Sequence, residues 1–126
     1  MKSKLYVLED VFTIHRFPPE NEIPIWLFDG PFCHITKTVD EISVICSASV
    51  QLNSTKSETG WSCIKVLGPL DLNLTGVLAD VLMVLAKVNI SIIALSTYDT
   101  DYILVKSEKI NNAIQALRQA EYPFEQ

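Results

Sequence analysis

The side chains that could do chemistry concentrate in one short stretch of this chain. Between the apolar segments 92–95 and 102–105 lie six polar or half-polar residues, of which five are serine, threonine or aspartate, namely Ser96, Thr97, Asp99, Thr100 and Asp101. β-Branched and aliphatic segments on either side of a polar turn predict a β-hairpin. An Asx-type turn accounts for any one of these residues taken alone. Together they supply more polar groups than a turn needs, so the case for a functional site rests on what flanks the hairpin.

The second half of the chain predicts elements that would position this hairpin. A strand over 61–67 precedes a helix over 71–88, whose apolar residues Leu74, Leu78, Val81, Leu85 and Val88 recur at steps of four and three. Strands over 90–95 and 102–106 form the hairpin, a second amphipathic helix follows Ser107, and 122–124 closes the chain. This order predicts a ferredoxin-like α+β fold, a split βαβ unit with helices on one face of an antiparallel sheet.

Helix boundaries follow from capping residues. Asp71 or Asn73 is placed to accept hydrogen bonds from the first-turn amides of the first helix, and Asn89 is expected to end it. Ser107 is expected to cap the last helix.

The residue pattern of the first half of the chain predicts strands and turns. A strand pattern over 4–17 has a bend at Glu9 and Asp10, and two further strands are expected over 32–39 and 42–50. Residues 25–28 fit either one helical turn or a short strand. The polar stretch 51–60 is expected to be a loop that joins two halves.

A faint internal repeat links the two halves. Shifting the chain by sixty positions lays residues 35–46 over 95–106, with an apolar residue, a hydroxyl, a polar turn and an apolar strand in the same order. Identities are few, so chance remains the alternative. The repeat predicts two related βαββαβ modules, a degenerate one over residues 1–60 and a complete one over residues 61–126.

Composition narrows the class of partners. The 126 residues are 48% hydrophobic, enough to form a core without a metal or disulfide. The net charge is -5, from 15 acidic and 10 basic residues, and no basic run occurs. Nucleic acid and anionic membranes are therefore not expected partners.

Cysteine usage and the N-terminus indicate a compartment. Cys33, Cys46 and Cys63 leave one thiol unpaired in any disulfide scheme, and no Cys-x-x-Cys pair is present. The N-terminal decapeptide has only four consecutive apolar residues, far fewer than a signal peptide or a transmembrane span. We therefore expect a soluble cytoplasmic protein with reduced thiols.

The candidates for a catalytic or metal site are the histidines and the cysteines of the chain. His15 and His34 both lie inside strand patterns, where a histidine is usually a packed or surface residue, and the cysteines show no metal-ligand spacing. The sequence therefore predicts no catalytic site, no metal site and no cofactor.

Three segments of the second half resemble a known family. Residues 66–79, with Leu74-Thr-Gly-Val-Leu78 at the helix start, residues 87–106, with the hairpin Ser96-Thr-Tyr-Asp-Thr-Asp-Tyr-Ile-Leu-Val105, and the helix over 110–117 together resemble an ACT domain. The resemblance runs from Trp61 to Phe124. It is closest to small tandem-ACT proteins, the branch that includes modules of the animal arginine sensors called CASTOR proteins.

The resemblance implies a regulatory site for an amino acid or similar effector, at an interface between two such modules. The implied ligand contacts come from the helix start, the following strand and the hairpin, namely Asn73, Leu74, Thr75, Gly76, Val77, Asn89, Ile90, Ser91 and Asp101. A helix N-terminus with Gly76 suits an α-carboxylate, Asn89 offers an amide, and Asp101 could pair with an ammonium or guanidinium group. The arginine sensors carry an acid where this chain has Leu74, so the ligand's identity stays open.

The sequence thus predicts a regulatory ACT-domain protein that binds a small effector, most plausibly an amino acid, and forms a homodimer without catalysing a reaction. The alternative is a ligand-free interaction module that dimerises through the edges of its sheets.

Overall fold

The computed structural model describes residues 2–70 and 75–125. Its strands and helices, in chain order, are β1 (Leu5–Val7), β2 (Phe12–Phe17), β3 (Cys33–Lys37), β4 (Ile42–Ser47), β5 (Lys56–Val66), α1 (Val77–Lys87), β6 (Ile92–Ser96), β7 (Asp101–Lys106) and α2 (Ile110–Gln119). Short 3-10 helices occur at Ile25–Asp29 and Ser107–Lys109. The α+β fold predicted from the sequence is confirmed.

The chain forms two compact units. The C-terminal unit combines Met1–Glu9 with Trp61–Gln126, and the N-terminal unit is Asp10–Gly60. The boundary between Gly60 and Trp61 falls inside β5, which begins in one unit and ends in the other. The first nine residues therefore belong with the C-terminal unit, although the sequence groups them with the first half.

The sheet of the C-terminal unit is antiparallel, in the order β1-β5-β7-β6. Strand β1 lies beside β5 with Leu5 opposite Val66, the place that the last strand takes in a ferredoxin-like βαββαβ unit. The closing segment of the chain lies beyond it, where Phe124 forms a parallel bridge to Leu5. The N-terminus thus completes a sheet whose other strands come from the second half.

Both helices of the C-terminal unit pack on one face of this sheet. Alternate residues of β5 and β7 are fully buried against Val81 and Leu85 of α1 and against Ala113 and Leu117 of α2, namely Ile64, Val66, Ile103 and Val105. The period of two along the strands and of three to four along the helices aligns these residues into one core. The predicted ferredoxin-like arrangement is therefore confirmed.

Helix α1 begins later than its apolar stripe predicts. Its first residue is Val77, and Gly76 stands at the N-cap position with a φ of 80°, where an L-residue is strained. The expected start at Asp71 and the caps at Asp71 or Asn73 lie outside the described residues. The helix ends as predicted, because Asn89 takes a φ of 60° and its N–H donates to the Ala86 carbonyl at 3.0 Å.

The N-terminal unit has three antiparallel strands in the order β3-β4-β2, with the first residues of β5 beside β2. Its core holds Phe17, Leu27, Ile42, Val44 and Cys46. Leu27 comes from the 3-10 helix, which settles the alternative left open for residues 25–28. The predicted loop over 51–60 is wrong in its second half, because residues 56–60 are polar but extend β5.

The start of α2 also differs from the expectation. Ser107 opens a 3-10 turn instead of capping the helix, and its Oγ lies 2.8 Å from Ser62 Oγ on β5.

Neither α-helix nor any other helical segment in residues 2–70 and 75–125 is long and apolar enough to cross a membrane.

Candidate functional site

The polar tip between β6 and β7 is a turn that hydrogen-bonds to itself. The Thr97 N–H donates to the Thr100 carbonyl at 2.8 Å, and the Thr97 hydroxyl donates to the same oxygen at 3.1 Å. The Thr100 N–H lies 3.3 Å from Thr97 Oγ1, which accepts its hydrogen bond. Thr97 therefore fixes the shape of the turn, as the turn interpretation of these residues expects.

Thr100 and Asp99 attach this turn to the segment that follows β5. Thr100 is 5% exposed, and its hydroxyl donates to the Val66 carbonyl. The Leu70 N–H donates to the Asp99 carbonyl at 2.7 Å. A Cβ on Gly68 would lie 2.8 Å from that same carbonyl oxygen, so only glycine allows this close approach of two backbones. The hairpin tip and the segment leading to α1 therefore hold each other in place.

A pocket of about 280 Å³ lies between the start of α1 and the hairpin tip. Its walls are Leu70, Gly76, Val77, Leu78, Ala79, Ser96, Thr97, Tyr98, Asp99, Thr100 and Asp101. The volume is close to the lower end of the range for small-molecule sites, about 300 to 1,000 Å³. Its size suits a metabolite as small as an amino acid.

The walls of the pocket differ in chemistry. On one side is the first turn of α1, where the N-cap residue, Gly76, has no side chain to form a cap and the backbone N–H groups carry the positive end of the helix dipole. On the other side is the polar tip with the acids Asp99 and Asp101. Leu70 and Val77 add apolar surface between them. A zwitterion could place its carboxylate at the helix and its ammonium at the tip.

Asp101 is oriented by a serine on the neighbouring strand. Ser96 lies opposite Asp101 in the β6–β7 register, and its hydroxyl donates to Asp101 Oδ1 at 2.5 Å. One carboxylate oxygen is thereby fixed, and a carboxylate retains further acceptor capacity for a cationic ligand group.

The structure brings three of the predicted ligand-binding residues together. Gly76, Val77 and Asp101 all line the pocket. Thr75 is exposed just before Gly76 and is not among the lining residues. Asn73 and Leu74 lie outside the described residues.

Asn89, Ile90 and Ser91 lie at the other end of α1. The helix has eleven residues, so its length is about 16 Å. Asn89 ends the helix with its positive φ, Ile90 is buried in the core, and Ser91 is exposed just before β6. Within one chain these three residues do not line the pocket.

Sequence reasoning missed the contribution of Leu70, Leu78 and Ala79 to the pocket walls. Leu78 belongs to the apolar stripe and was assigned to the core alone. The sequence signal for Ala79 is its position three residues after Gly76, which places the two residues on the same face of the helix. Tyr98, 80% exposed at the tip, borders the pocket, in agreement with the solvent-facing position expected for a residue at the apex of the turn.

Asp80 in the first turn of α1 ties both chain ends to the helix. The Tyr122 hydroxyl donates to Asp80 Oδ2, and Lys2 Nζ lies 3.3 Å from the same oxygen. The hydrogen bond from Tyr122, followed by that from Lys2, lowers the pKa of Asp80. Burial, and then the bond to Asp80, raises the pKa of Tyr122. This carboxylate is engaged with protein groups and does not line the pocket.

The cysteines and histidines lie apart from this pocket. Burial raises the pKa of Cys63 to about 12, and burial lowers the pKa of His15, whose Nδ1 is 2.8 Å from Ser54 Oγ. In the described part of the chain, no three His, Cys, Asp or Glu side chains group as metal ligands.

Comparison with protein families agrees with this architecture. The family model described as ACT domain matches residues 56–119, just over half of the chain. The chain therefore belongs to the ACT domain family. A second family model, described as an N-terminal domain, matches residues 10–50. Comparison with functionally curated proteins gives no significant match.

Solved structures share this fold. A structural-genomics crystal structure of an Agobacterium tumefaciens protein is 31% identical, with a TM-score of 0.90 over 99% of this chain and 93% of the other. A Vibrio cholerae protein of unknown function, described as a possible transport protein, is 21% identical, with a TM-score of 0.71 over 92% of this chain and 88% of the other.

An aspartokinase structure also shares the fold. E. coli aspartokinase III, solved in complex with aspartate and ADP in its R-state, is 16% identical, with a TM-score of 0.64. The likeness covers 91% of this chain but only 32% of the aspartokinase. The fold of the present chain thus also occurs as one part of a larger enzyme.

Proposed function

We propose that this protein is a regulatory module that binds a free amino acid, or a similarly small zwitterion, in the pocket between α1 and the hairpin tip. The single observation that carries the proposal is that an α-helix start with glycine at its N-cap and two acids face each other across a pocket of about 280 Å³. Membership of the ACT domain family supports a regulatory role. The resemblance to small tandem-ACT sensors is part of this proposal.

Asp101 is the residue to which we assign the ligand's positive group. It lines the pocket, and Ser96 holds one of its oxygens. Gly76 and Val77 present the helix start, which receives the carboxylate. We assign no catalytic step to these residues.

The predicted contacts Asn89, Ile90 and Ser91 would come from a second copy of the chain. Strand β6 pairs only with β7 among the described strands, so its other edge is open to pairing. If two β6 edges paired antiparallel, the start of one strand would lie beside the end of the other. Asn89–Ser91 of the second copy would then approach the hairpin tip of the first. We propose a homodimer of this kind, in the cytoplasm.

A thermal-shift screen against the twenty amino acids tests the proposed function. A ligand at a hundred times its dissociation constant adds about 2.7 kcal/mol of stability, which raises the melting temperature by several degrees. Asp101→Asn should abolish most of that shift, since hydrogen bonds to charged groups contribute about 1.5–3 kcal/mol.

Glu41→Gln is the matched control for Asp101→Asn. Glu41 is also an acid beside a hairpin turn, and its Oε1 accepts a hydrogen bond from Ser43 at 2.9 Å, but it lies in the other unit. The same thermal shift in Asp101→Asn as in the wild type would disprove the assigned site. A chain that is dimeric by light scattering and unresponsive to every amino acid would favour the interaction module, for which the open β6 edge is the supporting observation.

A further inference from the structure

The N-terminal unit places two thiols directly opposite each other. Cys33 on β3 is the register partner of Cys46 on β4. The hairpin closes with a hydrogen bond from the Thr38 N–H to the Glu41 carbonyl at 2.9 Å. Hydrogen-bonded and non-hydrogen-bonded pairs alternate along an antiparallel ladder, so counting from this pair makes Cys33 and Cys46 a non-hydrogen-bonded pair.

That pair type brings two side chains as close as an antiparallel sheet allows. The Cα atoms of a non-hydrogen-bonded pair are about 4.5 Å apart, within the range of about 4.4–6.8 Å found for disulfides. A disulfide can therefore bridge this pair without a movement of the two strands.

The surroundings of the two thiols differ. Cys46 is buried in the core of the N-terminal unit, whereas Cys33 is partly exposed and packs against the edge of that core. Burial raises the pKa of both thiols, and the neighbouring Cys33 raises the pKa of Cys46 further, as expected for two sulfur atoms in close proximity. Solvent therefore reaches the pair through Cys33.

We propose that Cys33 and Cys46 form a dithiol modification site that reacts with a small-molecule disulfide, such as oxidised glutathione, to give an intramolecular disulfide. The Cys33 thiolate attacks one sulfur of the reagent, forms a mixed disulfide and releases one glutathione thiolate. The Cys46 thiolate then attacks the Cys33 sulfur and releases the second. The protein loses two electrons and two protons, and one glutathione disulfide becomes two glutathione thiols.

The consequence of this reaction lies in strand β3. It pairs only with β4 among the described strands, so it is an edge strand. A covalent link at Cys33 would hold its first residue to the core and restrict the unfolded chain over residues 33–46. The proposal is independent of the amino-acid pocket, because both cysteines belong to the other unit.

Peptide mapping of the wild-type protein tests the proposal. Reduced protein is incubated in buffers of defined oxidised-to-reduced glutathione ratio for times on the order of hours, since uncatalysed exchange is slow. Free thiols are then alkylated and the protein is digested with trypsin. Lys37 separates the two cysteines, so a disulfide joins peptides 17–37 and 38–56, while Cys63 lies in peptide 57–65.

The expected result is a mass loss of about 2 Da for the two hydrogens released, with peptides 17–37 and 38–56 linked and Cys63 alkylated. The oxidised protein should melt several degrees higher than the reduced protein. Cys33→Ser should abolish the link and the shift, and Cys63→Ala should retain both. A stable glutathione adduct on Cys33 that does not proceed to the linked peptides, or a link that involves Cys63, would overturn the proposal.

Discussion

Two four-residue turns of this chain, Thr38–Glu41 and Thr97–Thr100, are built in the same way. In each, the threonine N–H donates to the carbonyl of the fourth residue, at 2.9 Å in the first turn and 2.8 Å in the second. In each, the threonine hydroxyl bonds to the backbone N–H and carbonyl of that fourth residue. Both also carry an aspartate at the third position, Asp40 and Asp99.

Their surroundings differ. The second turn lies beside Gly68 and Leu70 and, with the start of α1, encloses the pocket. The first turn has Val39 91% exposed at its apex, and its unit contains no α-helix. Glu41 borders a broad groove over the strands. Polar turn residues alone therefore form a hairpin turn. A candidate site forms where the start of a helix also lies opposite the turn.

The comparison also corrects the internal repeat. The sequence pattern aligns at a shift of sixty, but the hydrogen bonds of the two turns make Thr97 correspond to Thr38 and Thr100 to Glu41, which is a shift of fifty-nine. A shift of one residue moves every strand side chain to the other face of the sheet, so the register of the hairpins decides the alignment.

Gly68→Ala is expected to have the largest effect on stability. A Cβ there would meet two backbone atoms, the Asp99 oxygen at 2.8 Å and the Leu70 nitrogen at 2.9 Å, so the turn or the segment must move. Overpacking of this kind costs about 1–3 kcal/mol of unfolding free energy. Chemical denaturation measures it. Gly30→Ala is the control, because nothing lies within 4 Å of a Cβ at that position. Equal stability of the two variants would refute the close approach.

Thr100→Val tests the attachment of the second turn. Valine has nearly the same shape as threonine but has no hydroxyl. The buried Val66 carbonyl would therefore lose the hydrogen bond that it accepts from Thr100. The unfolding free energy should fall by about 1–2 kcal/mol. The matched substitution Thr36→Val, at an exposed threonine of β3, should leave the denaturation midpoint almost unchanged. A loss shared by both variants would point to a general effect of the substitution instead.

Thr97→Val and Thr38→Val sharpen the comparison of the two turns. Because each threonine hydroxyl bonds to the N–H and the carbonyl of the fourth residue of its turn, each variant should lose about 0.5–1 kcal/mol of unfolding free energy. Thr38 Oγ1 also accepts from the Asp40 N–H at 3.1 Å, so Thr38→Val should lose at least as much as Thr97→Val. Only Thr97→Val should weaken binding of the amino acid found in the thermal-shift screen, as measured by calorimetry. A loss of affinity in Thr38→Val would place the site in the other hairpin.

The smallest expected effect is an acid sensitivity of the N-terminal unit. Burial lowers the pKa of His15 below the value of 6.5 that it has in the unfolded chain. Above pH 6.5 the side chain is neutral in both states, and below it the unfolded state binds the proton first, so stability falls as the pH decreases. His15→Gln should lose part of the stability difference between pH 7.5 and 5.5. His34→Gln, which alters the other histidine, should retain it.

Part of this fold could be predicted from residue patterns. The stripe of α1 and the alternation in β7 bury enough apolar surface to determine their faces, and Asn89 ended the helix as expected. The start of α1 could not be predicted, because the apolar period continues through Leu74 while the backbone turns at Gly76. Strand residues 56–60 are polar, so no hydrophobic pattern distinguished them from a loop.

Two residues of the candidate site could be predicted from local features of the sequence. Gly76 and Asp101 are local signals, a glycine before a helix and an acid in a hairpin, and both line the pocket. Leu70 contributes through its position opposite Asp99, with a hydrogen bond between backbone atoms that no side-chain pattern reports. The contact between segments separated in sequence by almost thirty residues required the folded structure.

An NMR titration of the 15N-labelled protein with each of the twenty amino acids tests the central claim most directly. For at least one amino acid, the amide resonances of residues 76–79 and 96–101 should shift with the concentration of ligand, while those of residues 38–41 stay unchanged. If every amino acid left the residues around the pocket unperturbed, or if the two turns responded alike, the pocket between α1 and the β6–β7 turn would not be an amino-acid site.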